Sequence, residues 1–407
     1  MPEPYSFLRP LLAADKHWAA LEWYVADPSQ IEAGELATRF VEAGTAALAK
    51  SVPLVLATDP GWLLESEFID KFEPDQAIFV LPAMVLDDAP TLALCQELRK
   101  QRRHLGLRLE RREVVERLPA ASFDHLQIDA ALARYELSAL DLTTLQRGRW
   151  RKIAVGVDSL DTFEWLAEKH FEFADSRFVT HLDLTAGGQP DLARLKVLKL
   201  LSLVIKDADT SEIEEVFRQE ARLSYNLLRL VNSVAVGAKT RISSFHQAIA
   251  LLGRRQLQRW LQLLIYADQL THANKPNPLL QLAATRGRQM ELSFAGLPAS
   301  SAATELADCG DAAFMTGIFS LLDVLLKMPM SEILSELPLP AVVGEALSSQ
   351  KGTLGTLLAA IVAGESGEAA ELAKAQALLS GLGISPACHA MAQVGAFHWA
   401  SRINSER

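Results

Sequence analysis

The chain reads as a multidomain fold in which an α/β part is followed by an all-helical part. Two observations predict this. Short β-rich apolar runs alternate with amphipathic segments through the first half, and the alternation stops at a turn-forming stretch that begins near residue 184. At 407 residues the chain exceeds one ordinary core, so two domains are the simplest organisation.

In order along the first half, Leu54 to Ala57, Ala77 to Leu81, Gly106 to Leu109, His125 to Ile128 and Ile153 to Val157 read as strands. Amphipathic segments such as Thr91 to Arg103 and Thr162 to His170 lie between them. Strands that alternate with helices imply a parallel sheet covered by helices, and a closed barrel is one solution over this length. Periodicity alone does not separate a barrel from an open sheet. The stretch Thr-Ala-Gly-Gly-Gln-Pro-Asp within Leu184 to Leu192 ends the pattern.

Everything after it reads as helix. Val197 to Ile205 is apolar, and Asp209 and Glu212 stand three apart as a capping box for a helix over Ser211 to Glu220. Leu223, Leu227, Leu228, Leu230 and Val231 form the stripe of the next helix. Ser244 and Gln247 repeat the cap spacing before Ala248 to Leu270, where Gly253 marks a break. Ala313 to Lys327, Ser331 to Leu337, Leu354 to Ala363 and Ala369 to Leu379 complete the helical expectation. The boundaries follow: an α/β domain over 1–190, a linker over 191–196, a helical domain over 197–390 and a tail over 391–407.

Composition narrows the class. Apolar residues make up 49% and charged residues 22%, a globular balance far from the disordered signature. Three scattered cysteines, Cys95, Cys309 and Cys388, form no C-x-x-C pair for zinc or a redox disulfide. A reducing cytoplasm is therefore the expected setting. The start of the chain has no basic signal-like region, and Asp323 and Lys327 interrupt the most apolar stretch before it reaches the ~20 residues of a membrane span. Residues 1 to 195 carry 21 basic and 31 acidic side chains, which accounts for the whole net charge of -10. Such an acidic half repels phosphate backbones, so nucleic acid is not an expected partner.

Within the helical half, Leu223-Ser224-Tyr225-x-Leu227-Leu228-Arg229-x-x-Asn232-Ser233 is followed by Gly237, Ile242-Ser243-Ser244 and Ala248-Ile249-x-Leu251-Leu252-Gly253. That series resembles the HDOD signature. Gly317-Ile318-Phe319-Ser320-Leu321-Leu322-Asp323 with Met328-Pro329-Met330 resembles the part of this domain found in proteins that join it to an EAL-type barrel. The resemblance implies a fold related to HD phosphohydrolases, whose metals need a His-Asp doublet; none of the nine histidines here precedes an aspartate. No metal hydrolase site is expected in this half. Asn232 and Ser233 suit helix capping better than a ligand site, and Gly237 and Gly253 suit positive φ or close packing. Arg254, Arg255 and Arg259 form a candidate basic surface, for which the plainer reading is a solvated charged face.

With the HDOD resemblance in place, the first half is similar in order to EAL domains, TIM-type (β/α) barrels that hydrolyse cyclic di-GMP with carboxylate-bound metals. Arg9-Pro10-Leu11 and Glu22, then Gln127-Ile128-Asp129, then Ile153-Ala154-Val155-Gly156-Val157-Asp158-Ser159 carry that similarity. The resemblance implies Leu56 at a metal-binding Asn, Pro82 at a Glu, Arg112 and Glu113 at paired aspartates, Gln127 at a catalytic Lys, Val155 at a Glu, Asp175 at a Gln, and Ala26 at a phosphate-binding Arg. Glu22 alone keeps its signature identity, and one carboxylate does not hold two divalent ions. The first half is thus expected to be a degenerate EAL-like barrel with no catalytic residue, no metal and no cofactor.

The functional expectation is a non-enzymatic bacterial-type signalling or regulatory scaffold that binds other signalling proteins, with self-association left open and cyclic di-GMP not an expected partner. Two alternatives stand beside it. One is a cyclic di-GMP receptor or residual phosphodiesterase, supported by Glu22 and the barrel resemblance. The other is a nucleic-acid-associated regulator that uses Arg254, Arg255 and Arg259. No phosphate loop, dinucleotide fingerprint, H-E-x-x-H or G-x-S-x-G motif points elsewhere.

Overall fold

A computed structural model of the protein describes residues 5–25, 32–119, 121–180, 277–298, 309–337 and 339–403, with shorter stretches between 200 and 266. By packing, the chain divides into two units: Met1–His181 with Ala363–Gln376 and Ser385–Val394, and Leu182–Val362 with Ala377–Ile384 and Gly395–Arg407.

The first unit is built on a closed barrel of eight strands in sequential order. These are β1 (Ser6–Leu12), β2 (Trp18–Val25), β3 (Leu54–Ala57), β4 (Ala77–Leu81), β5 (His104–Leu109), β6 (His125–Asp129), β7 (Arg151–Val155) and β8 (Phe173–Asp175). The strands β2 to β8 run parallel, whereas β1 is antiparallel to both of its neighbours and closes the ring. Helices Ala33–Glu42, Ala89–Lys100, Ala139–Arg147 and Leu160–Glu168 lie among the strands in sequence. Ser138 and Asp141 form a complete capping box on the third of these, so that start is written locally.

Alternation along the strands sorts side chains to the interior or the helix layer. Leu11, Ala20, Val55, Ile78, Val80, Ile153 and Phe173 pack as one buried cluster inside the barrel. Leu56 neighbours Val55 and therefore falls on the opposite face of β3. It is buried, but it does not line the cleft as the sequence comparison places it; a one-residue offset in a strand moves a side chain to the other face.

Five strands follow the sequence expectation closely. The additional strands β1, β2 and β8 are those that complete the ring. Among the described residues of the second unit, the regular elements are helices, in keeping with the all-helical reading. The expected helix from Ala313 to Lys327 is instead two, Cys309–Phe319 and Leu322–Leu326, and a further helix, Pro386–Ala400, runs through much of the stretch read as a tail. Trp399 stacks edge-on against Phe314.

The helices Pro278–Ala295 and Cys309–Phe319 meet through glycines. A methyl group on Gly317 would stand 2.5 Å from the Arg286 carbonyl oxygen and 2.7 Å from the Gly287 Cα. Neither backbone atom swings aside as a side chain would. Gly317→Ala is therefore expected to lower stability by about 1–3 kcal/mol, the usual cost of overpacking. Thermal unfolding checks this; an unchanged midpoint would show that the two helices separate freely.

Candidate functional site

The interior of the barrel carries one ionic cluster. Arg9 on β1 sits directly across from Glu22 on β2, and both are buried. Arg9 donates to Glu22 Oε2 from Nε at 3.1 Å and also from Nη2. The other Glu22 oxygen accepts from Gln127 Nε2 at 3.0 Å, and Gln127 Oε1 accepts from Arg108 Nε at 2.9 Å. A single chain of charge and hydrogen bonds thus crosses from β1 to β5.

Asp175 ends β8 and is fully buried. Its Oδ2 lies 3.6 Å from Arg9 Nη1 and 3.3 Å from Arg177 Nε. The backbone N–H groups of Gly156, Val157 and Arg177 donate to its two oxygens. Burial raises the Asp175 pKa, and the guanidinium groups and N–H donors counter that only in part. Burial also works against the charge on Arg9, but Glu22 and Asp175 outweigh it and hold the guanidinium charged more firmly than usual. At Gly156, φ is +76°, and a side chain there would collide with Asp129 Oδ2 at 2.6 Å, so this turn of the rim needs glycine.

The cluster is capped from residues that follow position 362. Ser366 O accepts from Arg9 Nη1 at 2.9 Å, Tyr24 donates to Gly364 O at 2.6 Å, and Arg177 pairs with Glu368 at 3.2 Å. A cavity of about 600 Å³ opens elsewhere, beside β2, lined in part by Trp23, Leu36, Arg39, Pro386 and Met391. It takes in no member of the ionic cluster; the convergent charges, not that space, mark the candidate site.

Divalent ions, which the resemblance to EAL barrels implies, require carboxylate oxygens with lone pairs to spare. The residues present do not fit them. Both Glu22 oxygens and both Asp175 oxygens already accept from or pair with donors of the chain, and a guanidinium lies between the two carboxylates. Arg112, matched by the resemblance to one of the paired aspartates, plays no part in this: it pairs with Asp141 at 2.7 Å near the start of a helix. Gln127 and Asp175, read from sequence only as lost identities, are working members of the cluster. Arg9 was visible as part of the Arg-Pro-Leu match, but its role as the central cation was not; the signal available was its two-residue alternation with Leu11 on one strand face.

A second grouping of ligand-type side chains lies at the opposite ends of the strands. Asp124 accepts from His104 Nδ1 at 2.6 Å and from the Leu105 N–H at 2.9 Å, and pairs with Arg99 at 2.9 Å, while His125 Nδ1 lies 3.0 Å away. Among the described residues this is a geometric candidate for a metal. The Arg99 cation and the N–H donor already occupy the carboxylate, so the group acts as an anchor beneath the barrel. Its hydrogen bond to Asp124 raises the His104 pKa.

In the helical unit, Arg259 is not on a solvated basic face. It forms ion pairs with Glu291 and Asp311, and its guanidinium lies 4.9 Å from the Phe314 ring centroid. Two carboxylates neutralise it, which takes it out of the candidate basic surface. Arg254, Arg255, Asn232, Ser233, Gly237, Gly253 and Ala26 lie outside the described residues. Cys95 and Cys388 are free thiols, and burial pushes Cys95 up to about 12. His389 is buried against the rings of Tyr5 and Phe7, at 5.9 and 5.1 Å. Among the described residues, no helix is long and apolar enough to cross a membrane.

Comparison with known proteins adds identity to this geometry. Residues 193–296 match the family model of the HDOD domain. The chain is 30% identical over 214 residues to the cyclic di-GMP phosphodiesterase CdgJ of Vibrio cholerae, a match that covers 52% of this chain and 48% of that protein. It therefore spans about half the length of that relative. It is also 25% identical over 299 residues to the uncharacterized protein YuxH of Bacillus subtilis, covering 70% of this chain and 69% of that one. Among solved structures, BlrP1 of Klebsiella pneumoniae, determined with manganese and cyclic di-GMP, aligns with TM-score 0.35 at 16% identity over 43% of this chain and 56% of its own. The EAL domain of Mycobacterium smegmatis DcpA aligns with TM-score 0.34 at 15% identity, over 42% of this chain and 87% of its own.

The similarity to a phosphodiesterase corrects two sequence expectations. A chain without enzymatic activity is not what a relative of that name points to, and the exclusion of cyclic di-GMP as a partner has no support from it. The expectations rest on single positions, whereas the similarity extends over 52% of the chain. This protein carries an HDOD domain, matched over 193–296, behind a closed eight-stranded barrel.

Proposed function

We propose that this chain is a cyclic di-GMP-handling signalling protein whose barrel takes the dinucleotide at the rim formed by the C-terminal ends of its parallel strands. The observation that carries the reading is the 30% identity to a named cyclic di-GMP phosphodiesterase. The order of the Arg-Pro-Leu, Glu22, Gln-Ile-Asp and Ile153 to Ser159 segments, which resembles EAL barrels, supports it.

The rim offers the right chemistry. Phosphodiester oxygens are best met by guanidinium forks, and half-buried Arg108 and Arg177 stand at the edge of the ionic cluster. Asp129, exposed at the end of β6, is a carboxylate placed to accept from the donor edge of a guanine. Ends of parallel barrel strands are where ligand sites of this architecture gather.

Calorimetric titration of the full chain with cyclic di-GMP, with and without magnesium or manganese, tests the proposal. The linear dinucleotide product is followed in the same samples. Binding is expected, and Arg177→Ala should weaken it about tenfold or more, the worth of one charge-assisted hydrogen bond. Neither heat nor product at high micromolar protein would sink the reading.

A further inference from the structure

We propose that Arg9 is the resident cation of the barrel interior and stands where two carboxylates would otherwise receive a divalent ion. The inference does not rest on the cyclic di-GMP reading, because its test contains no dinucleotide.

Glu22 and Asp175 are both shut away from water, at 6% and 0% exposure. Two buried carboxylates require a cation, supplied either by a metal or by the chain. Here one guanidinium spans both, with Nε and Nη2 on Glu22 Oε2 and Nη1 turned toward Asp175 Oδ2. With Arg177 beside Asp175, two cations balance two anions. Adding a dication would leave a surplus of two positive charges in a site with almost no water, where repulsion is weakly screened.

The surroundings are fitted to the guanidinium. Its third direction is satisfied by Ser366 O, and the Tyr24 ring lies 5.8 Å from its Cζ. Gly367 has φ +74°, and a methyl group there would stand 2.8 Å from Arg9 Nη1. The capping turn therefore closes on this side chain only with glycine at that position. Gln127 completes the set by occupying the oxygen of Glu22 that Arg9 leaves.

Removing the guanidinium while keeping both carboxylates should turn the pair into a divalent site. The experiment follows thermal unfolding and manganese electron paramagnetic resonance of the full chain with manganese alone. The wild-type midpoint should not move with manganese, and its spectrum should report no bound ion that Glu22→Gln abolishes. The Arg9→Gln variant should melt lower without metal, rise continuously with manganese concentration as linkage requires, and bind one ion per chain. Adding Glu22→Gln to Arg9→Gln, which removes one carboxylate, should abolish that response while restoring part of the lost midpoint.

Two outcomes overturn the proposal. One is a wild-type protein that binds manganese through Glu22. The other is an Arg9→Gln protein that gains neither stability nor a bound ion from manganese, whether it starts folded or unfolded.

Discussion

Replacing Arg9 with methionine should lower the stability of the barrel by about 3–5 kcal/mol, the cost of removing one partner from a buried ion pair. Methionine keeps much of the volume of the side chain, so the loss is chiefly electrostatic. Glu22 would retain only Gln127, and Asp175 only Arg177 and the three backbone N–H groups. The double change Arg9→Met with Glu22→Gln should recover a substantial part, because the uncompensated charge disappears with its partner. Urea unfolding of both variants measures this. Equal losses for the single and the double change would mean that Arg9 matters for packing against Tyr24 and Ser366 and not for charge.

Acid should weaken the first unit through His389. Burial pushes its pKa down from an ordinary value near 6.5 to about 4, with only a small opposing pull from the Ser6 backbone. The imidazole is thus held neutral in the folded state. Above pH 6.5 neither state is protonated and the full stability is present. As the pH falls from 6.5 to 4 the unfolded chain takes up a proton that the folded chain refuses, and stability declines by roughly 3 kcal/mol over that window. Below it the contribution is spent. His389→Phe keeps an aromatic ring against Tyr5 and Phe7, so its stability should be nearly flat over the same range where the wild type falls. A parallel decline in both proteins would assign the acid sensitivity to other groups.

Much of this protein was legible in its residues. The runs at β3 to β7 are compact, apolar and bounded by turn formers, which is how buried parallel strands announce themselves. The HDOD signature was equally local, a spaced series of residues between Leu223 and Gly253. What resisted reading depends on closure. The strand β8 has only three residues, too short to show a period, and it becomes a strand by pairing with β1 from the far end of the barrel sequence. The strands β1 and β2 carry Arg9 and Glu22 in the middle of apolar runs. Only their direct opposition across an antiparallel pair reveals that each charge is there for the other.

The same distinction holds for the site. Comparison of single positions singled out Glu22, Gln127 and Asp175 one at a time. It could not show that this glutamine and aspartate share one network with Arg9. It also matched Leu56 to a metal-binding position, although the alternation along β3 turns that side chain to the face opposite Val55.

By itself, then, the order of residues determined the two-part architecture, the helical character of the second half and the HDOD match, since these rest on local periodicity and nearby motifs. Tertiary structure alone decided that Arg9, Glu22, Gln127 and Asp175 meet, that residues near 366 cap them, and that His389 is held neutral between two rings. The physical reason is range: hydrophobic periods and caps act within a few residues, whereas charge compensation and burial depend on strands and turns that only folding brings within a few ångströms.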